Sequence, residues 1–80
     1  SYINLGSLYE AAGRRKEALE MYEAAAAIRP NSGSAWYSVA RLRVLVGDGR
    51  GAHVALARAI ELDGALGVRA ATDPAFAALR

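Results

Sequence analysis

The chain resembles itself when it is shifted by 34 positions. Residues that fall on each other share size as well as polarity, in the pairs Tyr2/Trp36, Leu5/Val39, Gly6/Ala40, Leu8/Leu42, Gly13/Gly47, Ala18/Ala52, Tyr22/Leu56 and Ala25/Ala59. Such recurrence is typical of repeat proteins, in which each copy is one packing unit that stacks on the next. The sequence therefore predicts two copies of one unit.

Each copy predicts a pair of helices. In the first copy, apolar residues recur three and four positions apart from Tyr2 to Ala12 and again from Ala18 to Ile28, so each stretch has one apolar face. Gly13 is a helix stop between them, and Pro30 cannot continue the second helix. Because the alternation of period two that marks strands is absent throughout the chain, we expect an all-α fold.

The glycine-rich stretch VGDGRGAH, residues 46–53, allows two interpretations. A loop of this kind can cradle a phosphate where a strand leads into a helix, or it can turn the chain between two helices. Here a helical pattern precedes it from Ser34 and another follows it to about Leu62, which favours the turn. Asp48 is then the expected N-cap, and Gly49 and Gly51 weaken the next helix by about 1 kcal/mol each relative to alanine.

The first copy resembles the tetratricopeptide repeat, a 34-residue helix pair with the pattern W-x2-L-G-x2-Y, A-x3-F and P. The matching residues are Tyr2, Leu5, Gly6, Tyr9, Ala18, Tyr22 and Pro30. The second copy fits at Trp36, Val39, Ala40, Ala52, Leu56 and Ala59. It departs at Arg43, which replaces the tyrosine and is expected to extend its guanidinium to water, and at Gly64, which replaces the proline.

The resemblance implies an α-solenoid of antiparallel helix pairs. We expect one domain over 1–80, with a first repeat at 1–32, a second at 33–64 and short capping helices at 65–80. Small residues at Gly6, Ala18, Ala40 and Ala52 are predicted to let paired helices approach, while Tyr22, Trp36 and Leu56 fill the remaining space. In the capping segment, Thr72 or Asp73 is expected to cap a helix that begins at Pro74, with Phe76 and Leu79 facing the stack.

Composition excludes several classes of protein. The net charge of +2 is too small to indicate a nucleic-acid partner, and the apolar runs are too short to span a membrane. There is no cysteine, so disulfides and thiolate metal sites are excluded, while reducing and oxidising compartments both remain open. We expect a cytoplasmic protein and, from the alanine and arginine usage, a bacterial one with a GC-rich genome. Without an initiating Met or a signal sequence, the chain is expected to be a fragment of a longer protein.

Few residues suggest chemistry. His53 is the only histidine, falls on Leu19 in register, and is expected to be a packed or half-exposed helix residue. Glu17, Glu20 and Glu23 allow a cation site, but a solvated face balanced by neighbouring cations is the favoured interpretation. A basic strip for RNA or phosphopeptides is disfavoured because interleaved aromatic residues are few; its members would be Arg41, Arg43, Arg50, Arg58 and Arg69. We expect no enzyme, no catalytic, cofactor or metal site, no nucleic acid and no membrane partner.

What the resemblance implies instead is a protein or peptide partner bound in a concave groove, which the first helix of each repeat lines. By position, the groove residues are Ile3, Ser7, Glu10, Ala11, Ser34, Tyr37, Arg41, Val44 and Leu45. Tyr37, Arg41 and Val44 share one helical stripe and are the expected anchor site.

Two further expectations accompany the groove. Docking of a chaperone's C-terminal carboxylate is disfavoured, since Ile3 and Tyr37 stand where that subgroup of the family has lysine. The alternative function is a purely structural terminal cap or oligomerisation unit of a longer array, including a homodimer through the exposed side of the first repeat.

Overall fold

The computed structural model describes residues 1–79, and these residues form helices and turns without any strand. The elements are α1 (Tyr2–Ala11), α2 (Arg15–Ile28), α3 (Gly33–Leu45), α4 (Gly49–Leu62), α5 (Ala65–Thr72) and a 3₁₀-helix at Pro74–Leu79. The all-α prediction is confirmed. Arg80, which ends the predicted capping segment, lies outside the described residues.

The two helix-to-helix turns share one backbone conformation and one pattern of backbone hydrogen bonds. Gly13 and Gly47 both have positive φ, of 79° and 89°, which glycine adopts without a steric cost. The next amide along, from Arg14 in one copy and Asp48 in the other, donates to Tyr9 O and Arg43 O over 2.9 and 2.8 Å. Since these donors and acceptors are 34 positions apart, the repeat predicted from side chains is present in the backbone too.

Side-chain caps fix where three helices begin. Ser1 accepts from Asn4 N, Ser32 from Ala35 N over 3.3 Å, and Asp48 from Gly51 N over 2.9 Å. The predicted cap at Asp48 is confirmed, so the glycine-rich stretch turns the chain into α4.

Close approach of small residues holds the helices together. α2 packs against both α1 and α3, and α3 packs against α4. Ala18, Ala40 and Ala52 are fully buried, as predicted, and Tyr22 is 2% exposed. A Cβ added to Gly6 would lie 2.8 Å from Tyr22 Cε1, so only glycine allows α1 to approach this ring.

Bulky repeat positions differ between the two copies. Trp36 and Leu56 are partly buried and pack against the core, and Trp36 Nε1 donates to Pro30 O over 3.0 Å. Tyr2, the counterpart of Trp36, is 42% exposed. Equivalent residues thus have unequal surroundings, because nothing among residues 1–79 covers the outer side of α1.

The expectation that Arg43 extends to water is wrong. Its Nη2 lies 3.0 Å from Glu23 Oε2 on α2, and its Nη1 donates to Gly51 O on α4 over 3.1 Å. The guanidinium therefore links three helices from the position where the family has a ring. Gly51 is part of this arrangement, since an added Cβ would lie 2.8 Å from Asp48 Cγ and 3.1 Å from Arg43 Cδ.

The last described residues pack against the second helix pair. Asp73 leaves α5 in an extended conformation, and its Oδ1 accepts from Ala75 N over 2.9 Å at the start of the 3₁₀-helix. Phe76 is 2% exposed and Leu79 packs against the core, so both face the stack, as predicted. Over residues 1–79, no helix combines the length and the apolar content needed to cross a bilayer.

Candidate partner-binding groove

The nine predicted groove residues differ in how far they reach solvent. Four are exposed on α1 and at the start of α3: Ile3, Ser7, Ala11 and Ser34. Four are partly buried, Glu10, Arg41, Val44 and Leu45, and the last two pack against the core. Tyr37 is only 3% exposed.

A carboxylate and a guanidinium join α1 and α3, the two helices predicted to line the groove. Glu10 of α1 and Arg41 of α3 form a bidentate pair, in which Arg41 Nη2 donates to Glu10 Oε1 over 3.0 Å and Nη1 contacts Oε2. Both side chains are about one quarter exposed, at 25% and 26%. The planar fork of arginine matches a carboxylate in this geometry, so the pair fixes orientation as well as distance between α1 and α3.

A tyrosine hydroxyl ties α2 into the same network. Tyr22 Oη donates to Glu10 Oε1 over 3.1 Å and lies 3.2 Å from Ser7 Oγ. Since the single hydroxyl proton of Tyr22 is used on the carboxylate, Ser7 is the donor in the second bond. The repeat pattern places a ring at Tyr22 for its volume, and its hydroxyl supplies polar contacts that the pattern does not specify.

Charge complementarity controls the ionisation of this pair. Burial raises the pKa of Glu10, but hydrogen bonds from Arg41 and Tyr22 and the nearby positive charge outweigh burial, and its pKa is lowered. The hydrogen bond to Glu10 raises the pKa of Arg41. Both groups are charged at neutral pH, so this part of the groove carries a neutralised pair.

Tyr37 is covered by residues that follow α5. Its hydroxyl donates to Asp73 Oδ2 over 2.6 Å, and its ring meets Phe76 edge to face, with 5.2 Å between centroids and 69° between planes. The guanidinium carbon of Arg69 lies 4.9 Å from the centroid of the Tyr37 ring. The predicted anchor stripe is therefore corrected: Tyr37 is occupied by the chain itself and Arg41 is paired with Glu10.

The same contacts shift two acid groups in opposite directions. Burial, together with the hydrogen bond to Asp73 and its negative charge, raises the pKa of Tyr37 to about 12. Burial also raises the pKa of Asp73, but the bonds from Tyr37 and Ala75 and the charges of Arg41 and Arg69 lower it overall. A charged carboxylate thus faces a neutral phenol at neutral pH.

An open recess lies where the starts of α1 and α3 meet the end of α2. Its volume is about 350 Å³, and its lining includes Tyr2, Ile3, Ala25, Ile28 and Ala35. Ile3 is 38% and Ile28 is 63% exposed, so apolar side chains border this recess without cover among the described residues.

Other candidate residues do not converge on a site. His53 is exposed, beyond the packed or half-exposed position predicted for it. Residues 1–79 contain no group of acidic or histidine side chains that could hold a metal ion. The glutamates pair with arginines, Glu17 with Arg14 and Glu23 with Arg43.

The predicted basic strip is also largely engaged. Arg41 and Arg43 lie in the ion pairs described above, and Arg69 lies over the Tyr37 ring. Arg58 Nη1 lies 3.7 Å from Glu61 Oε2, and Arg50 is exposed. These cations are distributed over intramolecular partners rather than gathered in one strip.

Comparison with known protein families matches residues 1–35 to the tetratricopeptide repeat, over the stretch that holds α1, α2 and the beginning of α3. No curated protein matches the chain. Residues 1–35 are therefore similar to a tetratricopeptide repeat, and the all-helical fold of the described residues is consistent with that family.

Proposed function

We propose that the chain is a non-enzymatic interaction module that holds a partner segment in the groove between α1 and α3. Tetratricopeptide repeats in general act in protein–protein interaction. The observation that carries the proposal is the Glu10–Arg41 pair, because it fixes the walls of the groove before any partner arrives. A preorganised surface loses less entropy on binding than a mobile one.

The chemistry of the open part of the groove suits a polypeptide segment. Ser7 and Ser34 offer hydroxyl groups, while Ile3 and Ala11 offer apolar surface at the same face. Such a mixture of apolar contacts and a few polar groups is what extended or helical peptides use when they lie in a groove.

Site-specific crosslinking tests this proposal. A photoreactive amino acid replaces Ala11 or Ser34 in the groove, and for comparison it replaces Ala27 of α2 or Ala57 of α4; all four residues are exposed. The proposal predicts crosslinks to one defined partner protein from the two groove positions and none from Ala27 or Ala57. Crosslinks to that partner from Ala27 and Ala57 alone would place the contact on the second helices and contradict the proposal.

A second candidate function is favoured by the outer side of α1. Leu5 is 45% and Leu8 is 68% exposed, although both hold positions that repeat as apolar residues. We propose as the alternative that this side joins the chain to another repeat or to a second copy, so that the module serves assembly. Oligomeric state separates this role from partner binding in the groove.

A further inference from the structure

The segment Asp73–Leu79 lies on the groove helix as a short ligand would. It is joined to the rest of the chain through an extended residue, Asp73, with φ of −78° and ψ of 120°. α5 ends at Thr72, before this residue. A rotation at Asp73 therefore moves the segment without unwinding α5.

Two chemical groups of the segment make its main contacts. The Asp73 carboxylate accepts the Tyr37 hydroxyl proton over 2.6 Å, and the positive charges of Arg41 and Arg69 act on it. Three residues later, the ring of Phe76 meets the ring of Tyr37 in a T-shaped contact. The surface thus recognises an acidic group and an aromatic ring at a spacing of three residues.

The segment borders an apolar pocket. This pocket has a volume of about 260 Å³, is open to solvent, and is lined by His53, Leu56, Ala70, Ala71, Phe76 and Leu79. Apolar surface added to a ligand at this point would be removed from water in the pocket. A ligand with a larger aromatic side chain than Phe76 would fill more of this volume than the chain's own segment does.

We propose that the Tyr37 surface binds a partner peptide with an acidic residue and, three residues later, an aromatic residue, and that Asp73–Leu79 is its built-in competitor. This inference rests on the proposed function, since it names the partner chemistry of one end of the same groove. Arg69, which lies over the Tyr37 ring, supplies the complementary positive charge, and Tyr37 supplies both the hydroxyl donor and an aromatic ring. Partner binding then requires release of the segment.

Fluorescence anisotropy with a labelled peptide of sequence TDPAFAALR tests the competitor. The proteins are the full chain and its Phe76→Ala variant, whose own segment holds the site more weakly. We expect the peptide to bind the Phe76→Ala chain at least tenfold more tightly than the original chain. The peptide with Phe76→Ala should not bind. The peptide with Phe76→Trp should bind more tightly than the original peptide, because its larger ring buries more apolar surface in the pocket.

A second chain variant, Asp73→Asn, keeps the Phe76 packing, so it still tests the competitor if Phe76→Ala does not fold. Circular dichroism measures the helix content of both variants. The Asp73→Asn chain should also bind the peptide more tightly than the original chain does. Equal affinity of the peptide for all three chains, or no binding to any of them, overturns the proposal. A dimer of the original chain that the peptide dissociates would show that the segment occupies a second copy instead, which also overturns it. Crosslinks from Ala11 and Ser34 in the groove do not depend on these peptide measurements, so the proposed function is tested separately.

Discussion

The closest contact in the first helix pair depends on an atom that is missing from Gly6. The ring of Tyr22 occupies the position of the absent Cβ and is held there by its bonds to Glu10 and Ser7. Tyr22 is buried, so its ring has little room to move aside. Single atoms at such points control how far apart two helices lie.

Gly6→Ala is therefore expected to lower the free energy of unfolding by about 1–2 kcal/mol. Overpacking costs about 1–3 kcal/mol, and the higher helix propensity of alanine returns up to about 1 kcal/mol. Urea denaturation measures the change. The matched control is Gly67→Ala in α5, whose Cβ would lie 3.6 Å from Ile60 in ordinary contact, and this variant should gain about 0.5–1 kcal/mol. Equal effects of the two substitutions would contradict the account.

The Glu10–Arg41 pair makes the stability of the fold depend on pH in the acidic range. Because the folded-state pKa of Glu10 is lowered from 4.5, its contribution to stability is fully present above that value and is lost as the pH falls through the lowered pKa. Glu10→Gln lacks the charge at every pH. The difference in Tm between the original chain and this variant should be largest near pH 7 and shrink towards pH 3. A difference that stays constant over this range would argue against the pair.

Tyr37 makes the stability of the fold depend on pH in the basic range. Its pKa is raised from 10.0 to about 12, so the stability that it contributes is present below pH 10 and is lost as the pH rises through about 12. Titration of tyrosinate absorbance should show a component at about pH 12, while circular dichroism follows the fold. Tyr37→Phe keeps the ring and should delete that component. Its persistence in Tyr37→Phe would assign it to another tyrosine.

At the scale of elements, local signals fix where the helices begin and end. α4 starts where Asp48 accepts the amide of Gly51, directly after the turn at Gly47. Asp48→Ala is expected to destabilise the chain by about 0.5–2 kcal/mol, because the first turn of α4 loses its cap. Asp48→Asn keeps an acceptor oxygen and should lose much less. Thermal melts of the two variants compare them, and equal losses would show that the charge rather than the cap matters.

Sequence predicted the helices well because each signal is local. The apolar spacing of three and four residues, the glycines at the turns and the cap at Asp48 all act within a few residues of their own positions. Arg43 was predicted wrongly because its partners, Glu23 and the Gly51 carbonyl, come from two other helices. Contacts between elements depend on packing distances that one helix does not specify.

The groove stays a prediction, and the sequence did not predict which of its residues already have partners within the chain. Helical spacing places Glu10 and Arg41 on the facing helices, yet it does not show that they pair with each other. The cover over Tyr37 comes from Asp73 and Phe76, which are 36 and 39 residues later in the chain. The sequence predicts that these residues belong to a capping segment. Only the three-dimensional structure shows that they contact Tyr37.

At the scale of the whole molecule, the two ends of the stack differ. The second helix pair is covered by α5 and the segment Asp73–Leu79, whereas Leu5 and Leu8 on α1 are largely exposed. Contiguous exposed apolar side chains are typical of surfaces that bind another chain or another repeat. Among the described residues, the second helix pair is therefore covered, and the outer side of α1 is apolar and exposed.

This asymmetry predicts self-association through α1. Sedimentation velocity of the original chain should show a monomer–dimer equilibrium as concentration rises, and Leu8→Lys should shift it to monomer by placing a charge in the apolar contact. Glu20→Lys, at an exposed site of α2, is the control for added positive charge and should leave the equilibrium unchanged. A monomer at all concentrations would show that the predicted dimer does not form.

We infer that α3 carries the binding surface and that the segment Asp73–Leu79 covers one end of it. Amide chemical shifts of the Phe76→Ala chain, recorded during titration with the peptide TDPAFAALR, test this inference. We expect changes at Ser34, Ser38 and Arg41 of α3 and at Asp73, with little change at Ala27 of α2. Changes confined to the exposed faces of α2 and α4, with α3 unaffected, would overturn the inference.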